Sequence, residues 1–196
     1  MRRTLLAAAL VLVPSLALAH PGLPGHTHDL ASGFLHPLGG LDHLLAMAAV
    51  GLLAAQLGGR ALWLVPASFV AAMAAAGAAG MAGLGLPMTE LGIAASVVVL
   101  GGAIALRLAM PVAAAMALVG FFAIFHGYAH GLETPESASG LLYGLGFVGA
   151  TALLHGLGIG LGLAFGRLDG AVGRNLMRVA GSVAAAIGVL MLAGAA

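Results

Sequence analysis

The chain has 196 residues, of which 62% are hydrophobic and only 7% are charged, and its formal net charge is +1. This composition excludes a water-soluble domain with a charged surface and predicts a membrane protein, and the lack of any basic run excludes nucleic acid as a partner. There is no cysteine, which excludes disulfides, thiolate metal sites and cysteine nucleophiles. Imidazole, carboxylate and thioether groups remain as side-chain metal ligands.

Residues 1–19 have the organisation of a secretory signal peptide. An arginine pair precedes an apolar stretch at 5–13, and small residues at 17–19 suit cleavage after Ala19. The apolar stretch is shorter than the ~20 residues that a membrane span needs. Cleavage would leave a mature chain that begins at His20 outside the cytoplasm, whereas the alternative is an uncleaved first span.

Residues 20–35 are rich in histidine and broken by proline and glycine, which predicts an irregular external segment. A new amino terminus on His20 can chelate a metal through its amine and imidazole together, and His26 and His28 can add further ligands. For each of these histidines a solvated tail is the alternative.

Six apolar stretches are each expected to cross the membrane as a helix. They cover residues 36–57, 61–83, 88–107, 111–132, 138–165 and 172–194. The predicted fold class is an all-α integral membrane protein, in which residues 36–196 form one bundle of six transmembrane helices after a cleavable signal peptide. The short connections leave no room for a soluble catalytic module, and the chain has no phosphate-binding Gly-x-x-x-x-Gly-Lys motif, so ATP is not expected as its direct energy source.

Basic residues and glycines predict orientation and packing. With the mature N-terminus outside, all basic residues of the mature chain fall at cytoplasmic ends, as the positive-inside rule requires; they are Arg60, Arg107, Arg167, Arg174 and Arg178. Glycines four apart in the fifth span predict close helix packing and a central place for that span. The pairs are Gly140 and Gly144, Gly156 and Gly160, Gly158 and Gly162, and Gly162 and Gly166.

The outer end of the first span carries His36, Asp42 and His43. Pro37 suits the first turn of this helix, because the N–H that proline lacks would have no partner there. His36 lies seven residues before His43, and a turn at Gly39-Gly40 would fold it back towards the same point.

The outer end of the fourth span carries the second group. His126, His130 and Glu133 stand at positions i, i+4 and i+7, so they project from one helical face and can converge on one ion. Thr151 and His155 are four apart in the fifth span, nearer the membrane midplane. Together the groups trace a route from the outer mouth inward.

Ionisable groups at membrane depth are costly unless they are paired or bound to a cation, so these residues predict a shared metal site or pathway; a purely structural polar network is the alternative. The predicted metal ligands are His36, Asp42, His43, His126, His130, Glu133 and His155, with His20 at the external end and Met47 as a weak candidate. Imidazole and carboxylate suit Ni²⁺, Co²⁺, Zn²⁺ and Cu²⁺, and do not single out one of them.

Three motifs resemble the signatures of the HupE/UreJ family, and the likeness extends from the signal to the last helix. They are His36-Pro-x-x-Gly-x-Asp42-His43-x-x-x-Met47, Phe125-His126-x-x-x-His130-Gly131-x-Glu133 and Leu154-His155-Gly-x-Gly. The resemblance implies a multi-pass permease of the bacterial inner membrane, with a periplasmic mature N-terminus. Such a permease takes up nickel, or cobalt, for hydrogenase or urease maturation.

The expected function is therefore secondary transport rather than enzymatic catalysis, with the metal ion as cargo, the lipid bilayer as surroundings and no tightly bound cofactor. Neutral imidazole is required for metal binding, so uptake is expected to fail as the external pH falls through the histidine range. Two alternatives are an intramembrane hydrolase that holds Zn²⁺ through His36, His43 and His126 with a carboxylate, and an accessory subunit that binds metal without conducting it. Assembly into a homo-oligomer and proton coupling are left open.

Overall fold

The computed structural model describes residues 29–134 and 139–195, and within these ranges it contains helices and no strand. The α-helices are α1 (Asp29–Leu35), α2 (Leu41–Leu57), α3 (Ala61–Met81), α4 (Thr89–Ala105), α5 (Val112–Leu132), α6 (Gly140–Gly166) and α7 (Gly170–Ala195), and a 3-10 turn (His36–Leu38) lies between α1 and α2. The predicted all-α class is confirmed. The signal peptide, His20, His26 and His28 lie outside the described residues.

Each of the six predicted apolar stretches contains one long helix. Helices α3, α5, α6 and α7 are long and apolar enough to cross a membrane, and α1 with α2 forms a fifth candidate if this pair, bent by 82°, is one span. Helix α4 is apolar but has only 17 residues. The described residues thus give four or five candidate spans, and the sixth stays a prediction that depends on α4.

The start of the first span differs from the prediction. Pro37 lies in the 3-10 turn and not in the first turn of α2, which begins four residues later at Leu41. Residues 29–35, predicted to be irregular, form helix α1. Tertiary packing explains this helix, since Gly33 lies so close to α6 that a Cβ there would overlap the backbone carbonyl of Tyr143. The predicted turn at Gly39-Gly40 is present, because both residues lie between the 3-10 turn and α2.

Close glycine contacts join the helices in pairs. Gly127 of α5 fits against the backbone carbonyl of Met73 in α3, and Gly158 of α6 fits against that of Ala48 in α2. Gly101 and Gly181 make the corresponding contact between α4 and α7. Glycine permits this approach because it has no Cβ, as is common where helices associate in lipid.

The prediction that the fifth span is central is wrong. Helix α2 contacts α3, α4, α5, α6 and α7, whereas α6 contacts α1, α2, α3 and α7. Of the glycines predicted to pack, Gly158 and Gly162 lie against α2, while the positions of Gly144, Gly156, Gly160 and Gly166 face open space. Spacing alone did not show which face of α6 meets a neighbour. The consequence is that α2, with His43 near its start, lies at the centre of the bundle.

Candidate metal site

His43 lies at the centre of a cluster of three imidazoles. Its side chain comes from the first turn of α2 and is 3% exposed, and the rings of His126 and His130 from α5 lie with their centroids 4.5 and 3.9 Å away. His43 Nε2 is 3.1 Å from His126 Nδ1 and 2.6 Å from His130 Nε2. One ring nitrogen of His126 and one of His130 therefore each face His43 Nε2 inside the bundle.

A serine on α4 fixes the orientation of His126. The hydroxyl of Ser96 donates a hydrogen bond to the carbonyl of Ile93, with the oxygens 2.6 Å apart, and its oxygen lies 2.8 Å from His126 Nε2. Because that hydroxyl proton is already donated, Ser96 accepts a hydrogen bond from His126 Nε2–H. This assigns the tautomer of His126 from the hydrogen-bond network and leaves a lone pair on Nδ1, which faces His43.

Carboxylates lie near the other two imidazoles, those of His130 and His43. Glu133 Oε2 lies 3.1 Å from His130 Nδ1, close enough for an ion pair, although the two groups are not aligned for a hydrogen bond. Asp42 Oδ1 accepts a hydrogen bond from the backbone N–H of His43 at 2.7 Å and lies 3.7 Å from His43 Nδ1. His43 Nδ1 also faces His130 Nε2, at 3.1 Å.

The contacts of His43 with His126 and His130 have hydrogen-bond distances, and the same imidazoles can serve as metal ligands. Two nitrogens that each lie 2.0–2.1 Å from a common tetrahedral Zn²⁺ are about 3.3 Å apart, so the rings of His43 and His130 would have to separate slightly to hold one ion together. Ring nitrogens that face each other at these distances repel one another unless a proton or a metal ion lies between them. The hydrogen bond between His126 Nε2 and Ser96 is also the usual arrangement around a ligating histidine.

A second, outer group shares His130 with the first. His36 Nε2 lies 2.8 Å from Glu133 Oε2, and ligand atoms of His36, His130 and Glu133 all lie within 4.8 Å of one another. The side chains of His36 and Glu133 are 33% and 55% exposed, compared with 11% for His130. The group is therefore open to the outside at His36 and Glu133, and it leads inward through His130.

The outer group lowers the pKa of Glu133. The imidazoles of His130 and His36 lie beside the carboxylate, stabilise its charge and hold its pKa well below the usual range, against the smaller opposing effect of burial. The side chain is therefore ionised, and its negative charge favours a cation at the entrance of the cluster.

Aromatic rings from α6 close one side of the cluster. Phe147 is 5% exposed, and its ring centroid lies 4.3 Å from that of His130 and 6.0 Å from that of His43. Tyr143, one turn further out, lies 5.8 Å from His36, and its buried hydroxyl has no hydrogen-bond partner in the described part of the chain. These rings keep water from that side of the imidazoles.

His155 does not belong to this cluster. It is 1% exposed, and neither ring nitrogen has a hydrogen-bond partner among the described residues. Its neighbour in the predicted route, Thr151, is fully buried and donates a long hydrogen bond of 3.8 Å to the sulfur of Met73. Met47 is also fully buried and packs in the apolar core.

The structure thus brings six of the predicted ligands together: His36, Asp42, His43, His126, His130 and Glu133. It places His155 apart from them, and His20 lies outside the described residues. Sequence reasoning missed Ser96 and Tyr143. A hydroxyl in the otherwise apolar α4 was the available signal for Ser96, but nothing nearby in the sequence indicated which imidazole it would meet.

Comparison with known proteins identifies a family and a relative of this chain. Residues 8–191 match the family model described as HupE / UreJ protein. The chain is 46% identical over 188 residues to the curated Protein HupE of Rhizobium leguminosarum bv. viciae, and the match covers 95% of each chain. No solved structure is significantly similar to this chain.

Proposed function

The chain belongs to the HupE / UreJ protein family, and from that premise we propose that it carries a divalent transition-metal ion from the periplasm to the cytoplasm of a bacterium. Nickel is the first candidate for the ion and cobalt the second, in support of hydrogenase or urease maturation. The observation that supports the proposal is the contact of three imidazoles inside the bundle, in which ring nitrogens of His126 and His130 lie 3.1 and 2.6 Å from His43 Nε2.

The order of steps follows from exposure. His36 and Glu133 are the exposed members, so they take the ion first and replace part of its water shell. His130 belongs to both groups and passes the ion to the buried site beside His43 and His126. His155, deeper in α6, receives it for release inward.

The membrane potential is sufficient to drive this movement. Each elementary charge that crosses an inside-negative membrane gains ~2.3 kcal/mol per 100 mV, so a divalent cation gains about 4.6 kcal/mol. Secondary transport without ATP is therefore adequate for accumulation of the ion.

The proposal is tested by uptake into proteoliposomes that contain this chain alone, with radioactive nickel outside and an inside-negative potential. We expect uptake by the wild type, and uptake reduced to background in His43→Ala and His130→Ala. Phe121→Ala, at an exposed position on α5, is the control for an unspecific effect of shortening a side chain. Wild-type rates in both histidine variants would remove these residues from the mechanism.

The same preparation separates the alternatives. An accessory subunit would bind nickel in detergent but show no flux under any potential. An intramembrane hydrolase would retain zinc through purification and likewise show no flux. Competition by cobalt, zinc and copper in the wild type then ranks the ions as cargo.

A further inference from the structure

One aromatic ring contacts both the outer cluster and His155. Phe69 of α3 is fully buried, and its ring centroid is 5.8 Å from that of His126 and 5.2 Å from that of His155. Phe69 thus contacts His126 of the cluster and, with the same ring, His155. An ion that moves from His126 to His155 meets this ring first.

The buried and unpaired imidazole of His155 supports a role for this residue in the pathway. A buried imidazole with both nitrogens unpaired costs free energy, because it has lost water without gaining a partner. His155 is therefore a polar position on the inner side of an apolar ring, and the described residues give it no structural task.

We propose that Phe69 is the barrier residue of the pathway: its ring separates the outer imidazole cluster from His155, and the ion passes only when the ring moves aside. This inference rests on the proposed transport function, and it adds the residue that sets the rate of passage and excludes ions that the outer cluster does not hold.

The surroundings of Phe69 allow such movement. Pro66 lies inside α3 three residues earlier, where it removes one backbone hydrogen bond and weakens the helix. A groove of about 420 Å³ lies beside this turn and His155, lined among others by Pro66, Val70 and Ala152. Helix α3 therefore has a weak point one turn before Phe69 and open space along the neighbouring face that carries Val70, although Phe69 itself does not line the groove.

The test uses the fact that the chain has no cysteine. In His155→Cys the new thiol is the only one, and its reaction with Ag⁺ added to the outside reports access from that side. After denaturation, a maleimide label counts the thiols that remain free. We expect the thiol to react at least about tenfold faster when Phe69→Ala is added, which corresponds to a barrier lowered by about 1.4 kcal/mol.

Two further variants make the result decisive. Phe122→Ala creates a cavity at another buried phenylalanine and should leave the reaction rate unchanged. Phe69→Leu preserves more of the packing and should give an intermediate rate, so it replaces Phe69→Ala if that variant fails to fold. Equal reaction rates with Phe69 and with the smaller residue, whether both fast or both slow, would overturn the proposal.

This assay does not need transport, so the two hypotheses can fail separately. If the wild type shows no metal flux but Phe69→Ala exposes the thiol, the barrier stands and the proposed function fails. If the wild type transports nickel and the thiol reacts equally in both backgrounds, transport stands and Phe69 is not the barrier.

Discussion

The variant Ser96→Ala tests whether Ser96 orients His126 for the binding of a metal ion. The serine hydroxyl makes two contacts in the interior, one to the carbonyl of Ile93 and one to His126 Nε2. Alanine removes both and leaves His126 Nε2–H without its acceptor in a fully buried position. The tautomer of His126 is then no longer fixed, and its lone pair is no longer held towards His43.

The expected magnitude follows from comparable sites. Removing a partner that orients a ligating histidine costs about 10- to 100-fold in metal affinity. Leaving a buried donor unpaired costs about 1–3 kcal/mol of stability. We therefore expect Ser96→Ala to raise the dissociation constant for nickel by about 10- to 100-fold and to lower the midpoint of thermal unfolding.

The assay is calorimetric titration of nickel into the purified protein, with Ser68→Ala as the matched control. The hydroxyl of Ser68 also donates to a carbonyl three residues back, that of Val65 at 2.8 Å, but it has no contact with an imidazole. Both variants thus lose a hydrogen bond within their helix, but only Ser96→Ala also loses the contact with His126. Equal affinities in the two variants would refute the assignment of the His126 tautomer and its role.

Two more predictions concern the packing and the entrance of the site. Gly127→Ala should lower the stability by about 1–3 kcal/mol, because its Cβ would overlap the Met73 carbonyl. Gly120→Ala, whose Cβ would be 3.9 Å from Ala72, should not lower it. Comparable thermal unfolding of the two variants would contradict the packing argument. Glu133→Gln should weaken nickel binding and, measured by unfolding without metal, should be less stable than the wild type at neutral pH. The pKa of Glu133 is lowered in the folded state, so its contribution to stability is fully present above the ordinary pKa of about 4.3 and is lost as the pH falls through the lower folded pKa. A stability difference between the wild type and Glu133→Gln that grows on acidification would refute this reasoning.

The sequence predicted the helices and much of the cluster because both leave local signals. Apolar stretches of sufficient length mark helices in lipid, and the spacing of His126, His130 and Glu133 places them on one face of α5 whatever the neighbouring helices are. The pairing of His36 with Glu133 joins residues 97 positions apart; only their membership of one site was predicted, because both were placed at the outer end of their spans.

The parts that were missed depend on contacts between helices. Ser96 and Phe69 are ordinary residues of apolar helices, and their roles follow only from which faces of α4 and α3 meet the cluster. Helix α1 was missed for the same reason, since its composition resembles a loop and its packing against α6 through Gly33 is not visible in the sequence. Glycine spacing in α6 likewise indicated close packing without showing on which side it occurs.

The bend before α2 is what joins the two metal-binding groups. If residues 36–57 formed one straight helix, His36 would lie about 10 Å further along the axis than His43, from 1.5 Å per residue over seven residues. At that distance both could not reach His130 at once. The chain turns at Gly39 and Gly40 by 82° between the two helical segments. His36 therefore approaches Glu133, and its ring centroid lies 4.8 Å from that of His130. The bend at the start of the first span therefore connects the buried imidazoles to the exposed group at His36 and Glu133.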